Sequence, residues 1–331
     1  MVKPLISICI PVFNEEENVA AVVSEIQKLA TAEPNYEFEF IFTDNASTDG
    51  THEKLNQFRQ QDDRIRILKF SRNFGFQKSI LTNFQAARGV AAVQIDADLQ
   101  DPPSMVSEFL RHWERGYKVV YGIRRQRQEG VVITYLRKRY YKLVTYLSDV
   151  DVPVDVGDFR LIDRVIIEHL KSVKDQSPYL RGLIAGFGYA QVGVPYDRQE
   201  RKAGKSKFGL VKLIELGLDG ITAQSTRPLR YLTMFGIAVS TTAILLALYY
   251  LVQGIFFGLH REVAGFTTIV LMLLLIIGLL SFMLGMLGEY VGRIFNNTRG
   301  LPMTIVETAT EVRNGVAEFD QQIANANERQ P

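Results

Sequence analysis

Apolar residues in the first half of the chain fall into short runs separated by helical stretches. Leu5 to Phe13 is a β-rich apolar run that stops at Asn14-Glu15-Glu16-Glu17. Asn14 followed three residues later by Glu17 fits a capping box and predicts an amphipathic helix to about Leu29. Glu37 to Thr43 predicts a second strand, with Ser47 or Thr48 placed to cap a helix running to about Gln60. Ile65 to Phe70 predicts a third strand, followed by a helix ending near Arg88. A fourth apolar run, Gly89 to Ile95, ends as three carboxylates arrive. Pro102-Pro103 then stops the strand and opens a helix whose Trp113 reads as a packing residue. Lys118 to Tyr121 is a further short strand, Val131 to Leu147 a helical stretch, and Gly157-Asp158 a turn entering a strand or edge segment. This alternation predicts an α/β fold, a mainly parallel sheet with helices on both faces.

The pattern changes past residue 230. No charged residue occurs from Tyr231 to Leu259, nor from Val263 to Gly288. Each run exceeds the roughly 20 residues that cross a bilayer as a helix. Only Leu259-His260-Arg261-Glu262 separates them, which predicts a two-helix transmembrane hairpin over about 231–259 and 263–291. Before it, Leu210 to Ile221 gives an amphipathic helix joined to a basic stretch, the pattern of an interfacial element. The expected organisation is an α/β domain over 1–195, a basic loop with interfacial helices over 196–230, two spans within 231–292, and a tail over 293–331.

Charge then sets orientation. Arg198, Arg201, Lys202, Lys205, Lys207, Lys212, Arg227 and Arg230 precede the first run, and Arg293 and Arg299 follow the second. The positive-inside bias places the large N-terminal domain and both termini in the cytoplasm, as a multi-pass protein of the inner (plasma) membrane. No charged-then-apolar leader with a small-residue cleavage site is visible, so secretion of that domain is not expected. The lone Cys9 fits a reducing compartment and a core position. A net charge of +2 gives no support for a nucleic-acid partner.

The acidic stretch carries the first chemical signal. Asp96 and Asp98 are separated by one residue at a strand end, where they repel each other unless a cation sits between them. Mg²⁺ is usually held by one or two carboxylates plus substrate phosphates. Open α/β sheets bind ligands beyond the carboxyl ends of their strands. An acidic loop capping a helix is the alternative. Arg124, Arg125 and Arg127 follow another strand; taken alone they read as a solvated surface, and beside a metal–pyrophosphate site they become candidate phosphate ligands, because guanidinium matches phosphate oxygens bidentately. No glycine-rich phosphate loop of either common type appears, which weakens NAD-enzyme and P-loop readings. The basic loop, with Arg201, Lys205, Ser206 and Lys207, suits either anionic headgroups or the phosphate of a lipid substrate.

Five motifs taken in order resemble the polyprenyl-phosphate glycosyltransferases of glycosyltransferase family 2, the group of dolichyl-phosphate mannose synthase and bactoprenol glucosyltransferases. They are Pro11-Val12-Phe13-Asn14-Glu15, Thr43 to Thr51, Asp96 to Pro103, Gly157 to Leu161, and Arg201 to Lys207. The resemblance covers essentially the whole chain. It departs at Asn45, where the family often has a second Asp, and at Phe76-Gln77-Lys78. It implies a GT-A nucleotide-diphosphosugar domain with Pro11, Asn14, Glu15 and Asp44 at the base and ribose, and Arg124 also on the nucleotide sugar. Asp96 would border the ribose and the metal, Mg²⁺ or Mn²⁺, with Asp98 and Gln100 as further ligands. Asp158 would be the catalytic residue at the acceptor phosphate, and Arg201, Lys205, Ser206 and Lys207 would bind that phosphate. The implied reaction moves a sugar, glucose from UDP-glucose, onto undecaprenyl phosphate for cell-envelope glycan modification, in a homo-oligomer, a tetramer by the same resemblance. Small residues at Gly278, Ser281, Gly285, Gly288 and Gly292 fit helix association in a membrane. Another donor, GDP-mannose or a UDP-aminoarabinose derivative, and a non-catalytic nucleotide-sugar-binding scaffold stay open. A processive polysaccharide synthase is disfavoured, because its Gln-x-x-Arg-Trp motif is absent and the only Trp, Trp113, follows His112.

Overall fold

Alternation along the first strands sorts the core into two halves. In β1 (Leu5–Val12) Ile6, Ile8 and Ile10 face one helical layer while Cys9 faces the other. In β2 (Glu37–Asp44) Phe38, Phe40 and Phe42 oppose Ile41 in the same way. Burial of each such Phe stabilises the fold by about 1.5–3 kcal/mol. The computed structural model describes residues 3–125, 156–198, 227–257 and 266–310. The remaining strands are β3 (Ile65–Phe70), β4 (Ala91–Gln94), β5 (Val119–Arg124), β6 (Val156–Asp163), β7 (Gln191–Tyr196) and β8 (Val306–Ala309). The α/β part also has α1 (Val19–Ala32), α2 (Thr51–Gln61), α3 (Phe76–Ala86), α4 (Met105–Glu114), α5 (Arg164–Lys171) and α6 (Leu180–Gly186). Helices α1, α2 and α4 pack on the Ile6 side, and α3, α5 and α6 on the Cys9 side.

The sheet order is β7-β5-β6-β4-β1-β2-β3-β8. β1 is parallel to β2 and β4, β2 to β3, and β5 to β7, while β6 and β8 run antiparallel to their neighbours. The sheet is thus mostly parallel, as expected. The Gly157-Asp158 step is not a turn: it lies inside β6, buried in the middle of the sheet. Because β6 is reversed, its first residues lie at the same edge as the last residues of β1, β2 and β4.

Local expectations fail in instructive ways. The first helix begins at Val19 rather than at a capping box on Asn14, whose φ of 53° and side chain serve a different contact. Neither Ser47 nor Thr48 caps α2; Asp49 Oδ1 accepts from Thr51 N at 3.1 Å instead. Trp113 packs, but it also donates to Asp163 Oδ2 at 2.7 Å, and Asp163 in turn caps α5 through Val165 N. Toward the opposite edge of the sheet, buried Glu39 accepts from Ser7 Oγ at 2.5 Å, Arg88 N at 2.7 Å and Arg66 NH1 at 2.7 Å. Those bonds tie β1, β2 and β3 to the α3–β4 link.

Two long helices follow, α7 (Arg227–Phe257) and α8 (Phe266–Thr298). Among the described residues one stretch, Ile276–Thr298, is long and apolar enough to cross a membrane, with mean hydropathy 1.3. A shorter apolar stretch, Leu229–Val239, lies in α7. The structure therefore carries one such span where two were expected. Residues 258–265, between the helices, lie outside the described residues. Leu280, Leu284 and Leu287 of α8 are each about half exposed or more, a surface suited to an apolar partner. After α8 the chain straps back over α3, with Met303 half-buried against the core and Thr304 Oγ1 3.1 Å from Thr82 Oγ1, and β8 closes the sheet on β3.

Candidate active site

Three loops at the carboxyl edge of β1, β2 and β4 hold the non-glycine residues with positive φ among the described residues: Asn14 (53°), Ala46 (58°) and Leu99 (54°). Such backbone is uncommon outside glycine and concentrates at functional sites. The first two loops are stitched together. Asn14 N donates to Ser47 Oγ at 3.0 Å, Thr48 N donates to Asn14 Oδ1 at 2.8 Å, and Glu15 N donates to Thr51 Oγ1 at 2.9 Å. Asn18 Nδ2 fixes the Glu15 carboxylate at 2.7 Å. Asp44 is fully buried; its Oδ1 accepts from Ser47 N at 2.9 Å, while Oδ2 lies 3.1 Å from His52 Nδ1 without a well-directed hydrogen bond. Asn45 Nδ2 donates to Asn73 Oδ1 at 2.9 Å while its Oδ1 accepts from Phe74 N at 2.8 Å. The Asp common in the family at that position could accept but not donate.

The third loop gathers the carboxylates. Gln94 Nε2 donates to Asp96 Oδ1 at 2.8 Å, and the backbone N–H of Gln100 donates to Asp98 Oδ1 at 3.1 Å. Burial, then the charges of Asp101 and Asp98, push the Asp96 carboxyl up to about 7. That penalty on the charged form is what a bound cation would relieve, so Asp96 and Asp98 fit a divalent metal. No set of three His, Cys, Asp or Glu side chains converges on a metal position among the described residues. Asp101 turns inward: it accepts from Tyr196 OH at 2.5 Å, with Arg124 NH2 at 3.5 Å and Arg198 Nε at 3.7 Å. Arg124, only 11% exposed in its side chain, also donates to Tyr196 OH at 3.2 Å, so its guanidinium is already engaged.

Asp158 comes to this edge through strand register. Gln94 pairs with Arg160 in the β4–β6 ladder, which places Asp158 level with Asp96 two residues further along. Arg181 of α6 holds Asp158 with Nε to Oδ1 and NH2 to Oδ2, both 2.9 Å, and Gln77 Nε2 adds a third bond at 3.2 Å. Burial alone would raise the Asp158 carboxyl, but Arg181, Arg160 and Gln77 outweigh it and bring it down to about 2. Burial holds the Arg160 guanidinium down, to about 10.

The structure thus brings Pro11, Asn14, Glu15, Asp44, Asp96, Asp98, Gln100, Arg124 and Asp158 to one edge of the sheet. Arg201, Lys205, Ser206 and Lys207 lie outside the described residues, as do the 131–147 and 210–221 helical stretches. Arg181 and Tyr196 were not singled out from the sequence. Asp101 stood there as the third carboxylate of the acidic stretch and Gln77 as a departure from the family pattern, neither with a role assigned.

The glycosyl transferase family 2 model matches residues 7–171. A Bacillus subtilis (strain 168) protein named uncharacterized glycosyltransferase YkcC is 35% identical over 96% of this chain and 98% of its own length. The bactoprenol glucosyl transferase of Shigella phage SfX is 32% identical over 92% of this chain and 99% of its own. Among solved structures, mannosyl-3-phosphoglycerate synthase from Rubrobacter xylanophilus aligns at 16% identity and a TM-score of 0.46, covering 79% of this chain and 78% of that one. That likeness is loose and bears on nothing the chain binds. With relatives above 30% identity along almost their full length, the chain belongs to glycosyl transferase family 2 and is similar throughout to bactoprenol glucosyltransferases.

Proposed function

We propose that this glycosyltransferase moves glucose from UDP-glucose onto undecaprenyl phosphate at the cytoplasmic face of the inner membrane. The observation that carries this reading is the pairing of two environments at one sheet edge: crowded Asp96 and Asp98 beside a clamped, permanently charged Asp158. Pro11, Asn14, Glu15 and Asp44 hold the base and ribose, and the unsatisfied Asp44 Oδ2 is an acceptor of the kind a base N–H needs. Arg124, steadied by Asp101 and Tyr196, borders the diphosphate. Asp96 and Asp98, with Gln100, hold Mg²⁺ or Mn²⁺, which when bound neutralises charge on the leaving diphosphate.

The acceptor explains why Asp158 need not take a proton. A phosphate monoester has its second pKa near ~6 and is largely deprotonated at neutral pH. An efficient general base has a pKa near the working pH, and Asp158 at about 2 is far below it. Asp158 therefore orients Arg181 and, through it, the incoming phosphate. The basic loop, with Arg201, Lys205, Ser206 and Lys207, grips the lipid phosphate. The apolar α8 acts as the membrane anchor that keeps the catalytic domain at the lipid surface. A Cβ added at Gly278, Gly285, Gly288 or Gly292 meets no neighbouring atom, which leaves that stripe of α8 open to another copy in a homotetramer. Light scattering in mild detergent tests the assembly, and a monomer refutes it.

The test of the function is a donor panel of UDP-glucose, UDP-galactose, GDP-mannose and a UDP-aminoarabinose derivative, each with undecaprenyl phosphate in proteoliposomes. Transfer highest with UDP-glucose supports the reading. Transfer highest with another donor corrects the sugar, and no transfer with any donor favours the scaffold.

A further inference from the structure

The C-terminal end of α8 does more than leave the apolar stretch. Arg293 NH2 donates to Asp175 Oδ2 at 2.7 Å and to Ser177 O at 3.0 Å. One turn on, Asn297 Oδ1 accepts from Gln176 N at 2.9 Å, and Leu301 O accepts from Gln176 Nε2 at 2.6 Å. Three bonds thus fasten Asp175 to Ser177 to the end of one long helix, and the fourth ties Gln176 to Leu301 just past it. The Arg293 side chain is 15% exposed and that of Asp175 28%, so the pair is sheltered enough to hold a geometry.

The fastened segment leads directly into α6, and α6 carries Arg181. Gln77 sits astride the same connection: its Oε1 accepts from Leu180 N at 3.4 Å while its Nε2 donates to Asp158. Lys78 Nζ, next along α3, reaches Gln176 Oε1 at 3.5 Å. The start of α6 is therefore held from two sides, by α3 and by α8. The strap after α8 presses on α3 in turn, through Thr304 and Met303. We infer that Arg293 and Asp175 are positioning residues of the transfer reaction, which fix the entry to α6 so that Arg181 presents Asp158 and its own guanidinium in register with the lipid-anchored acceptor.

This rests on the proposed reaction, in which the acceptor phosphate arrives at a height set by the membrane helix. A site for a tethered substrate needs its acceptor side fixed relative to that helix. The nucleotide side, built from the β1 and β2 loops, has no such requirement. Small misplacements at a reacting centre are costly, about 100-fold in rate for an ångström. Loosening the clamp should therefore act on turnover and spare donor binding.

The experiment uses the full chain in nanodiscs, as Arg293→Gln and as Asp175→Asn. Amide hydrogen exchange across 175–184 is expected to quicken in both variants, with β1 and β2 unchanged. The kcat with UDP-glucose and undecaprenyl phosphate is expected to fall at least about ten-fold, with the KM for UDP-glucose held within about two-fold. Unchanged exchange across 175–184, or exchange that quickens in β1 and β2 as well, overturns the inference. So does local loosening with kcat intact. The exchange arm needs no turnover, so a wild type that transfers no sugar refutes the proposed reaction while the clamp is still decided by exchange.

Discussion

Arg181 holds Asp158 through two parallel hydrogen bonds, Nε to Oδ1 and NH2 to Oδ2, both 2.9 Å. A fork of this kind fixes direction as well as charge. It makes Asp158 a permanent anion and Arg181 an oriented cation beside the carboxylate loop.

The pH dependence follows from the sign of that shift. The Asp158 carboxyl is lowered to about 2, below its ordinary range of about 4, so its contribution to stability is fully present above pH ~4. It is lost as pH falls through about 2. Arg181→Met should remove roughly 2 kcal/mol at neutral pH and little at pH ~2, read by denaturant midpoints at the two pH values. An equal loss at both would mean that Asp158 is not held down by Arg181. The acid limb of kcat should instead follow the acceptor phosphate near pH ~6 and stay in place in Asp158→Asn, whose turnover falls.

The buried Arg66–Glu39 pair gives a prediction about the scaffold. Their side chains are 2% and 5% exposed, at 2.7 Å. Arg66→Met strands a buried carboxylate and should cost about 3–5 kcal/mol, measured by denaturant unfolding of the soluble domain's signal. Arg66→Met combined with Glu39→Gln should recover part of it. A single variant as stable as wild type would show that water reaches Glu39.

The basic loop is predicted to act on the lipid phosphate. Replacing Arg201 and Lys205 with Ala should raise the apparent KM for undecaprenyl phosphate by about ten-fold or more and leave that for UDP-glucose nearly unchanged. Equal effects on both would point to membrane anchoring or to a donor-phosphate role.

Much of the fold could be read from residue order because its signals are local. The Ile6, Ile8, Ile10 alternation and the run that ends at Asp96 mark strands and the edge where a site forms. Strand direction is not a local property, so β6 could be placed but not seen to run backward, and Asp158 was taken as a turn. Asn14 mimicked a helix cap because capping and loop stitching use the same side-chain acceptor; only Ser47 and Thr48, thirty-odd residues away, distinguish them. Arg181 escaped notice for a related reason. It meets Asp158 only through the packing of α6, and an isolated Arg in an apolar helix has no spacing to betray it. Both membrane spans rested on charge-free length, and of the described residues only Ile276–Thr298, in the second, satisfies length and hydropathy together.

The central claim is that sugar passes from a nucleotide to a lipid phosphate at the Asp96–Asp98 edge. The direct measurement is radiolabel from UDP-glucose partitioning into the organic phase, with purified protein, undecaprenyl phosphate and Mg²⁺ or Mn²⁺. The account predicts label in the lipid phase that requires the lipid, disappears in excess chelator, and falls by at least about 100-fold in Asp98→Ala. Full turnover in chelator, or label that stays in the aqueous phase while UDP is released, would contradict it.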